Sequence, residues 1–510
     1  MPLREAGSGD EYSPWIGLIF IFNLIVGTGA LTLPAAFAKA GWCIGLLLII
    51  ILAFISYITV TFVIESIACA NAVIHWRRLQ YLKRDRLATD DEVDSSDHYE
   101  PLNPDISDSS IEHTPLFSQS SRYYVLDHKI ELGEMAGLFF NDLGRILFYL
   151  CIAIYLYGDL SIYSAAVSKS LRDVICDRNA TSANMTDDQL ELEPCWQDYK
   201  TITRLDCYRL SLVGFIVLLG PFTFFNVTKT KYIQMLTVLL RWLAFTVMIS
   251  IAVHRLFSEG KQGHPPAANI YGVPALFGAC VYSFMCHHSL PSLVAPISSK
   301  QSLKSLLSVD YSLIAAFYLC LALTGAFAFS HLEDLYTLNF VPGEQSSTFL
   351  KIVEYFLSLF PVFTLSASFP IIAITLRNNL QTLFIDTTRL ESYNFFLRRI
   401  LFPLLAIVPP FMVTYYTDSL TSLVGFTGSY AGSGIQYIIP IALVYSARRT
   451  CSDLLGQGIQ NDFRSPFVHN GWLVGVGIWA ITCVILVTIL SKWINDPPSS
   501  LKGSGSKKQV

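Results

Sequence analysis

Apolar residues in this chain come in long unbroken runs. Ile16 to Val26, Leu46 to Val63 and Val474 to Leu490 contain no charged residue. About 20 such residues in a helix cross about 30 Å of hydrocarbon. Only helices and closed barrels satisfy their backbone in lipid, and these runs are too long for barrel strands. The pattern predicts an all-α polytopic membrane protein with about eleven spans, at roughly 14–38, 42–70, 143–171, 208–225, 232–254, 272–297, 309–329, 349–376, 397–416, 420–446 and 470–491. Residues 1–13 are polar, and a cytosolic tail without a cleavable signal peptide is expected there.

Three connections are long. The first, 73–140, opens with Arg77, Arg78, Lys83, Arg84 and Arg86, then turns acidic and serine-rich from Asp90 to Ser121. Low hydrophobicity with clustered charge predicts disorder through most of it. Periodicity returns near Lys129 to Phe140 and predicts a short amphipathic helix on the membrane surface. The second, 172–207, carries the sequons at Asn179 and Asn184 and three off-membrane cysteines, Cys176, Cys195 and Cys207. These allow three disulfide pairings with one thiol left over, and spacing does not choose among them. The third, 447–469, is polar and without a motif. A shorter loop covers 255–271, and residues 492–510 form a polar tail.

Charge sets the orientation. Arg77/Arg78, Lys229/Lys231, Lys300/Lys304, Arg398/Arg399 and Arg448/Arg449 fall on one side if spans alternate. The sequons and cysteines fall on the other, where glycosylation and oxidation occur. The N-terminus is therefore expected in the cytosol and the C-terminus outside it. A third sequon, at Asn226, falls on the cytosolic side and should be unused. Composition agrees with membrane residence: 15% charged, 52% hydrophobic, mean hydropathy +0.47. The net charge of −4 gives no sign of a nucleic-acid partner.

Candidate chemistry sits where the apolar runs are interrupted. The first span reads Asn23-Leu-Ile-Val26-Gly27-Thr28-Gly29-Ala30-Leu-Thr-Leu-Pro34. Glycine weakens a helix by about 1 kcal/mol relative to Ala, and proline removes a donor and clashes one turn back. Non-helical backbone is tolerated at membrane depth only inside protein or beside a wet cavity. Close helix packing by small residues explains Gly-Thr-Gly equally well. The sixth span is interrupted too, at Tyr282-Ser283-Phe284-Met-Cys286-His287-His288-Ser-Leu-Pro291. Paired interruptions in corresponding spans point to a transporter's substrate site. Spans one and six are five apart, as an inverted five-plus-five repeat requires, leaving the eleventh span peripheral.

Asn23 to Pro34, continuing to Trp42, resembles the first helix of the amino acid/auxin permease family, which includes sodium-coupled neutral amino acid transporters and proton-coupled ones. The strings Tyr155 to Tyr163, Leu219 to Phe225, Tyr282 to His287 and Gly428 to Tyr437 extend the similarity over most of the membrane portion. The resemblance implies a LeuT-type bundle: residues 14–254 as the first five-helix repeat, interrupted by the two loops, and 272–446 as the second. It implies a substrate site at Val26, Gly27, Thr28, Gly29 and Ala30, completed by Ser283, Phe284 and His287. It implies Asn23 and a hydroxyl of span eight as sodium ligands. Thr364, Ser366 and Ser368 are the candidates for that hydroxyl, and ordinary interhelical hydrogen bonds explain them equally well.

Asp159 lies near the middle of span three. A carboxylate there costs several kcal/mol unless paired, hydrated or protonated, so it is either a proton carrier or a structural hydrogen-bonded acid. Glu65, Arg145, Arg241 and Glu354 are expected nearer the interfaces. Adjacent His287 and His288 have no metal-ligand spacing, and no cofactor is expected beyond a transported sodium ion or proton. In the acidic loop, Tyr99-Glu-Pro-Leu102 fits a tyrosine-based sorting signal for adaptors, which would direct the protein to endolysosomal membranes, with the plasma membrane as the alternative. The predicted function is secondary active transport of small amino acids. The alternative is a transporter-like sensor or scaffold signalling through the cytosolic loop. No nucleophile–base constellation favours an enzyme.

Overall fold

The computed structural model describes residues 11–93, 123–176, 192–196, 201–225, 231–341, 347–385, 395–456 and 459–495. Its helices are α1 (Pro14–Ile25), α2 (Thr28–Ala40), α3 (Trp42–Val93), α4 (Leu132–Phe139), α5 (Asp142–Ile175), α6 (Arg204–Leu219), α7 (Lys231–Ser258), α8 (Val273–Ser283), α9 (Leu290–Val294), α10 (Leu303–Ala328), α11 (Thr348–Phe384), α12 (Phe402–Tyr416), α13 (Leu420–Thr427), α14 (Ile439–Leu455) and α15 (Asn470–Asn495). Two π-helical turns, Gly428–Gly432 and Gly434–Ile438, join α13 to α14. Among the described residues β pairing is confined to two isolated bridges, Tyr12 with Ile297 and Pro194 with Thr203.

Among the described residues eight helices are long and apolar enough to cross a membrane, and α1 with α2, bent by 55°, makes a ninth span. The sixth and tenth expected spans do not form single long helices. The sixth divides into α8 and α9, and the tenth passes through the π turns. Both interruptions fall where the sequence concentrates glycine, serine and proline. The last helix is peripheral: α15 buries Leu473, Val476 and Ala480 and exposes Val474, Ile478, Ile481 and Ile485.

Several boundaries move. The helix of span two runs past residue 73 to Val93, because Arg, Leu, Gln and Lys over 77–84 are good helix formers even without lipid contact. The helix expected on the membrane surface exists as α4, but Leu132, Met135 and Ala136 are buried, and it packs on α5 and α14. The segment after α14 folds back onto the bundle. There Ser465 Oγ meets Thr61 Oγ1 at 2.7 Å, and its amide donates to Glu65 at 3.0 Å.

Polar ties close both ends. At the end holding Tyr12, Arg448 clasps Glu65 with two 2.8 Å hydrogen bonds, and Lys300 meets Asp127 at 2.6 Å. At the opposite end, Asp334 faces Lys39 at 3.3 Å and Lys169 at 4.0 Å, and accepts from Thr421 at 2.7 Å. Lys169 also reaches Asp418 at 3.6 Å, and Asp173 pairs with Arg172 and Arg204. Beside that network lie the three cysteines. Cys176 and Cys195 form the disulfide, and the free Cys207 sulfur lies within 4.8 Å of both. Asn179, Asn184, Asn226, Tyr99 and Leu102 lie outside the described residues.

Candidate substrate site between two broken helices

A helix leaves its last carbonyls and first amides without intrahelical partners, and inside a membrane protein those groups need other ones. Helix α1 stops at Ile25, and α2 restarts at Thr28. Tyr318 of α10 answers part of the demand: its hydroxyl lies 3.0 Å from the Ile25 carbonyl and 2.8 Å from that of Ser283, the last residue of α8. One phenol therefore joins the ends of both broken helices. The helices also touch directly. A Cβ on Gly29 would come within 2.6 Å of the Ser283 Cα, so this approach requires glycine. Gly27 has open space around it, the nearest atoms to an added Cβ being 4.0 Å away.

Val26, Thr28, Gly29, Ala30, Ser283 and Phe284 are all buried at this junction. Among the described residues no full hydrogen bond is formed by Thr28 Oγ1, and Tyr163 of α5 is the side chain that interacts with it. Phe284 packs on Tyr318 with ring centroids 5.1 Å apart. His287 faces elsewhere: its Nε2 shares a 2.9 Å hydrogen bond with Thr59 of α3. His288 is the histidine that lines a cavity, together with Tyr155, Ile152, Gly133, Thr375 and Asn379. That cavity leads toward α4 and the end holding Tyr12.

Asp159 is buried on α5, and the hydroxyl of Tyr282, one residue before the end of α8, donates to it. The rings of Tyr155 and His288 stand 5.6 Å apart. The junction thus gathers the amide start of α2, the carbonyl ends of α1 and α8, and the Asp159 carboxylate held by Tyr282.

The expected ion-coupling residues do not converge as a group. Thr364 and Ser368 donate to carbonyls of their own helix, at 2.9 and 3.3 Å, and no hydrogen bond is described for Ser366. Arg241 of α7 donates to the backbone carbonyl of Asn23 and lies 3.4 Å from its Oδ1. Arg241 thus reaches across to the end of α1. Arg145, by contrast, lies exposed beside Asp142, while Glu65 is buried within its ion pair and Glu354 is buried near the start of α11.

Three residues were given no role by the sequence. Tyr318 is an ordinary tyrosine in an apolar span, Tyr282 was read only as the start of the interruption in span six, and the fold alone gives them their places. Asp310 is different, because both its carboxylate oxygens are buried without a hydrogen-bond partner among the described residues. An acid inside the apolar run of α10 was a signal available in the sequence.

The sequence model of the transmembrane amino acid transporter proteins matches residues 10–83 and 116–488. The chain belongs to this transporter family. Within the family it is 56% identical to a transmembrane protein 104 homolog of Drosophila melanogaster, over 95% of this chain and 98% of that protein. It is 47% identical to transmembrane protein 104 of Homo sapiens, over 94% and 97%. A Dictyostelium discoideum homolog is 32% identical, over 94% and 97%. The two matched stretches leave out 84–115, most of the acidic loop. Both broken helices and Asp159 lie inside them.

Proposed function

We propose that this protein is a secondary active transporter of small amino acids that works by alternating access. The observation carrying this reading is the meeting of α1, α2 and α8 at Gly29 and Ser283, opposite the buried Asp159. In this reading the substrate carboxylate caps the amides of Thr28 and Gly29, at the positive end of the α2 dipole. Its ammonium faces Asp159, which Tyr282 holds beside the end of α8. Broken helices of this kind hold the substrate in other secondary transporters.

The Tyr282 to Asp159 hydrogen bond ties α8 to α5. A carboxylate accepts that bond more strongly than a carboxylic acid does. Protonating Asp159 therefore loosens the tie, which couples a proton to the rocking of spans one, two, six and seven against three, four, eight and nine. The inverted five-plus-five arrangement supplies the symmetry for that motion. The end holding Tyr12 is cytosolic in this account, the C-terminus lies outside the cytosol, and the protein resides in endolysosomal or plasma membranes. The chemistry is translocation and needs no enzyme step.

The test is uptake of labelled small amino acids into proteoliposomes, with pH and sodium gradients imposed separately. The expected result is uptake accelerated by a pH gradient, with that acceleration lost in Asp159→Asn. Acceleration that persists in Asp159→Asn would remove the proton role from this residue. Saturable binding without flux would favour the sensor alternative.

A further inference from the structure

We infer that Arg241 is a tethered cation occupying the carbonyl end of α1, so that no sodium ion binds at Asn23 and any coupling of this chain runs without sodium. The statement about coupling rests on the transport reading above; the occupancy of the site does not.

The end of α1 carries the negative pole of a helix dipole and lies inside the span. Its last four carbonyls are those of Phe22, Asn23, Leu24 and Ile25. Phe22 accepts from the Val26 amide at 2.8 Å. Ile25 accepts from the Gly27 amide at 2.8 Å and faces the Tyr318 hydroxyl. Asn23 accepts from Arg241, and its side-chain oxygen faces the same Nη1 at 3.4 Å. The guanidinium thus engages both oxygens that Asn23 offers, the pair a metal ion would use.

Arg241 sits six residues into the span that begins at Met235, about 9 Å along the helix. A cation at that depth is costly unless it is paired, and a guanidinium stays charged at every relevant pH. Among the described residues it forms no ion pair with a carboxylate. Its charge is therefore met by the carbonyl pole of α1. The small cavity beside it is lined by Phe22, Val26, Trp242, Phe245 and Phe317, which offer no side-chain oxygen. A hard cation needs a cage of oxygens, and the guanidinium already holds the two that Asn23 would contribute beside the other carbonyls at the end of α1. A second unit charge about 4 Å from the guanidinium, at an effective dielectric of about 20, would bind on the order of a thousandfold more weakly.

The probe is sodium itself, on the full chain in detergent. Wild type is expected to show no saturable binding of radioactive sodium, and equal melting temperatures in sodium chloride and choline chloride. Arg241→Ala is expected to gain saturable sodium binding, which the added substitution Asn23→Ala removes. Arg241→Lys keeps a cation in place and serves if the alanine variant fails to fold: it too should bind no sodium. Saturable sodium binding by wild type, abolished in Asn23→Ala, would overturn the inference. So would an Arg241→Gln protein that melts in choline chloride at the wild-type temperature. None of these readouts depends on flux, so a failure of the transport reading would leave them intact.

Discussion

Single residues decide whether the two broken helices can meet. Replacing Gly29 with alanine places a carbon against the Ser283 backbone, which cannot swing aside as a long side chain can. Overpacking of this kind costs about 1–3 kcal/mol or more. Gly29→Ala should therefore lower the melting temperature of the purified protein clearly, while Gly27→Ala, with open space around it, should change stability by less than about 1 kcal/mol. Equal losses in the two variants would contradict the geometry. From the sequence the two glycines were indistinguishable, because both stand in the same Gly-Thr-Gly motif. The motif located the break but not which glycine bears the contact. Asn23 was legible as a polar residue beside the break. Its actual partner was not, since Arg241 lies 218 positions away on a span whose charge reads equally well as interfacial.

Asp334 makes a second prediction at the residue scale, outside the spans. Burial alone would raise its carboxyl, but Lys169, Lys39 and the Thr421 hydroxyl outweigh it and hold the group below the usual carboxylate range. A depressed folded pKa gives stability that is complete above the ordinary carboxylate value, near 4, and is lost as pH falls through the folded value. The tie at this end should therefore persist from pH 7 to pH 5 and fail only below about 4. The loss of thermal stability in Asp334→Asn relative to wild type should accordingly be the same at pH 7 and pH 5. A loss that shrinks at pH 5 would show that the carboxylate is already titrating.

At the scale of elements, hydropathy read the continuous helices well and the interrupted ones only as anomalies. A run such as Leu46 to Val63 reads as a membrane-crossing helix, so α3 was plain in the sequence. Its extension to Val93 was not, since charge alone reads as the start of a loop. The segment after α14 likewise reads as a polar connection, yet it is anchored on Glu65. That anchor predicts an energetic consequence. Glu65 is 2% exposed and takes two hydrogen bonds from Arg448 as well as the Ser465 amide. Removing one partner of a buried pair costs about 3–5 kcal/mol. Arg448 keeps some contact with solvent, so Glu65→Gln should cost roughly 2–3 kcal/mol. Glu65→Leu combined with Arg448→Met should lose less than Glu65→Gln alone. Thermal unfolding of the three variants in one detergent checks the order.

At the scale of the whole molecule, the two ends and the centre form a single picture. The end bearing Asp334 is held by charged ties between α2, α5 and the turn before α13. From the centre a cavity runs past His288 and Tyr155 toward α4, at the end holding Tyr12. The broken helices, joined by Tyr318, lie between the two closures. Such a layout suits a solute held at mid-membrane and released to alternate sides. The polytopic character and the two interruptions were open to a reader of the sequence, because lipid imposes length and polarity rules on every residue. The junction was not, because it depends on α8, about 250 residues on in sequence, meeting the break between α1 and α2 at one glycine.

The most direct test is counterflow: wild-type proteoliposomes preloaded with an unlabelled small neutral amino acid and diluted into the labelled one without any ion gradient. The account predicts transient accumulation of label that depends on the preloaded amino acid and is abolished in Gly29→Val. Saturable binding of the label by folded protein, with no counterflow for any small amino acid, would contradict it.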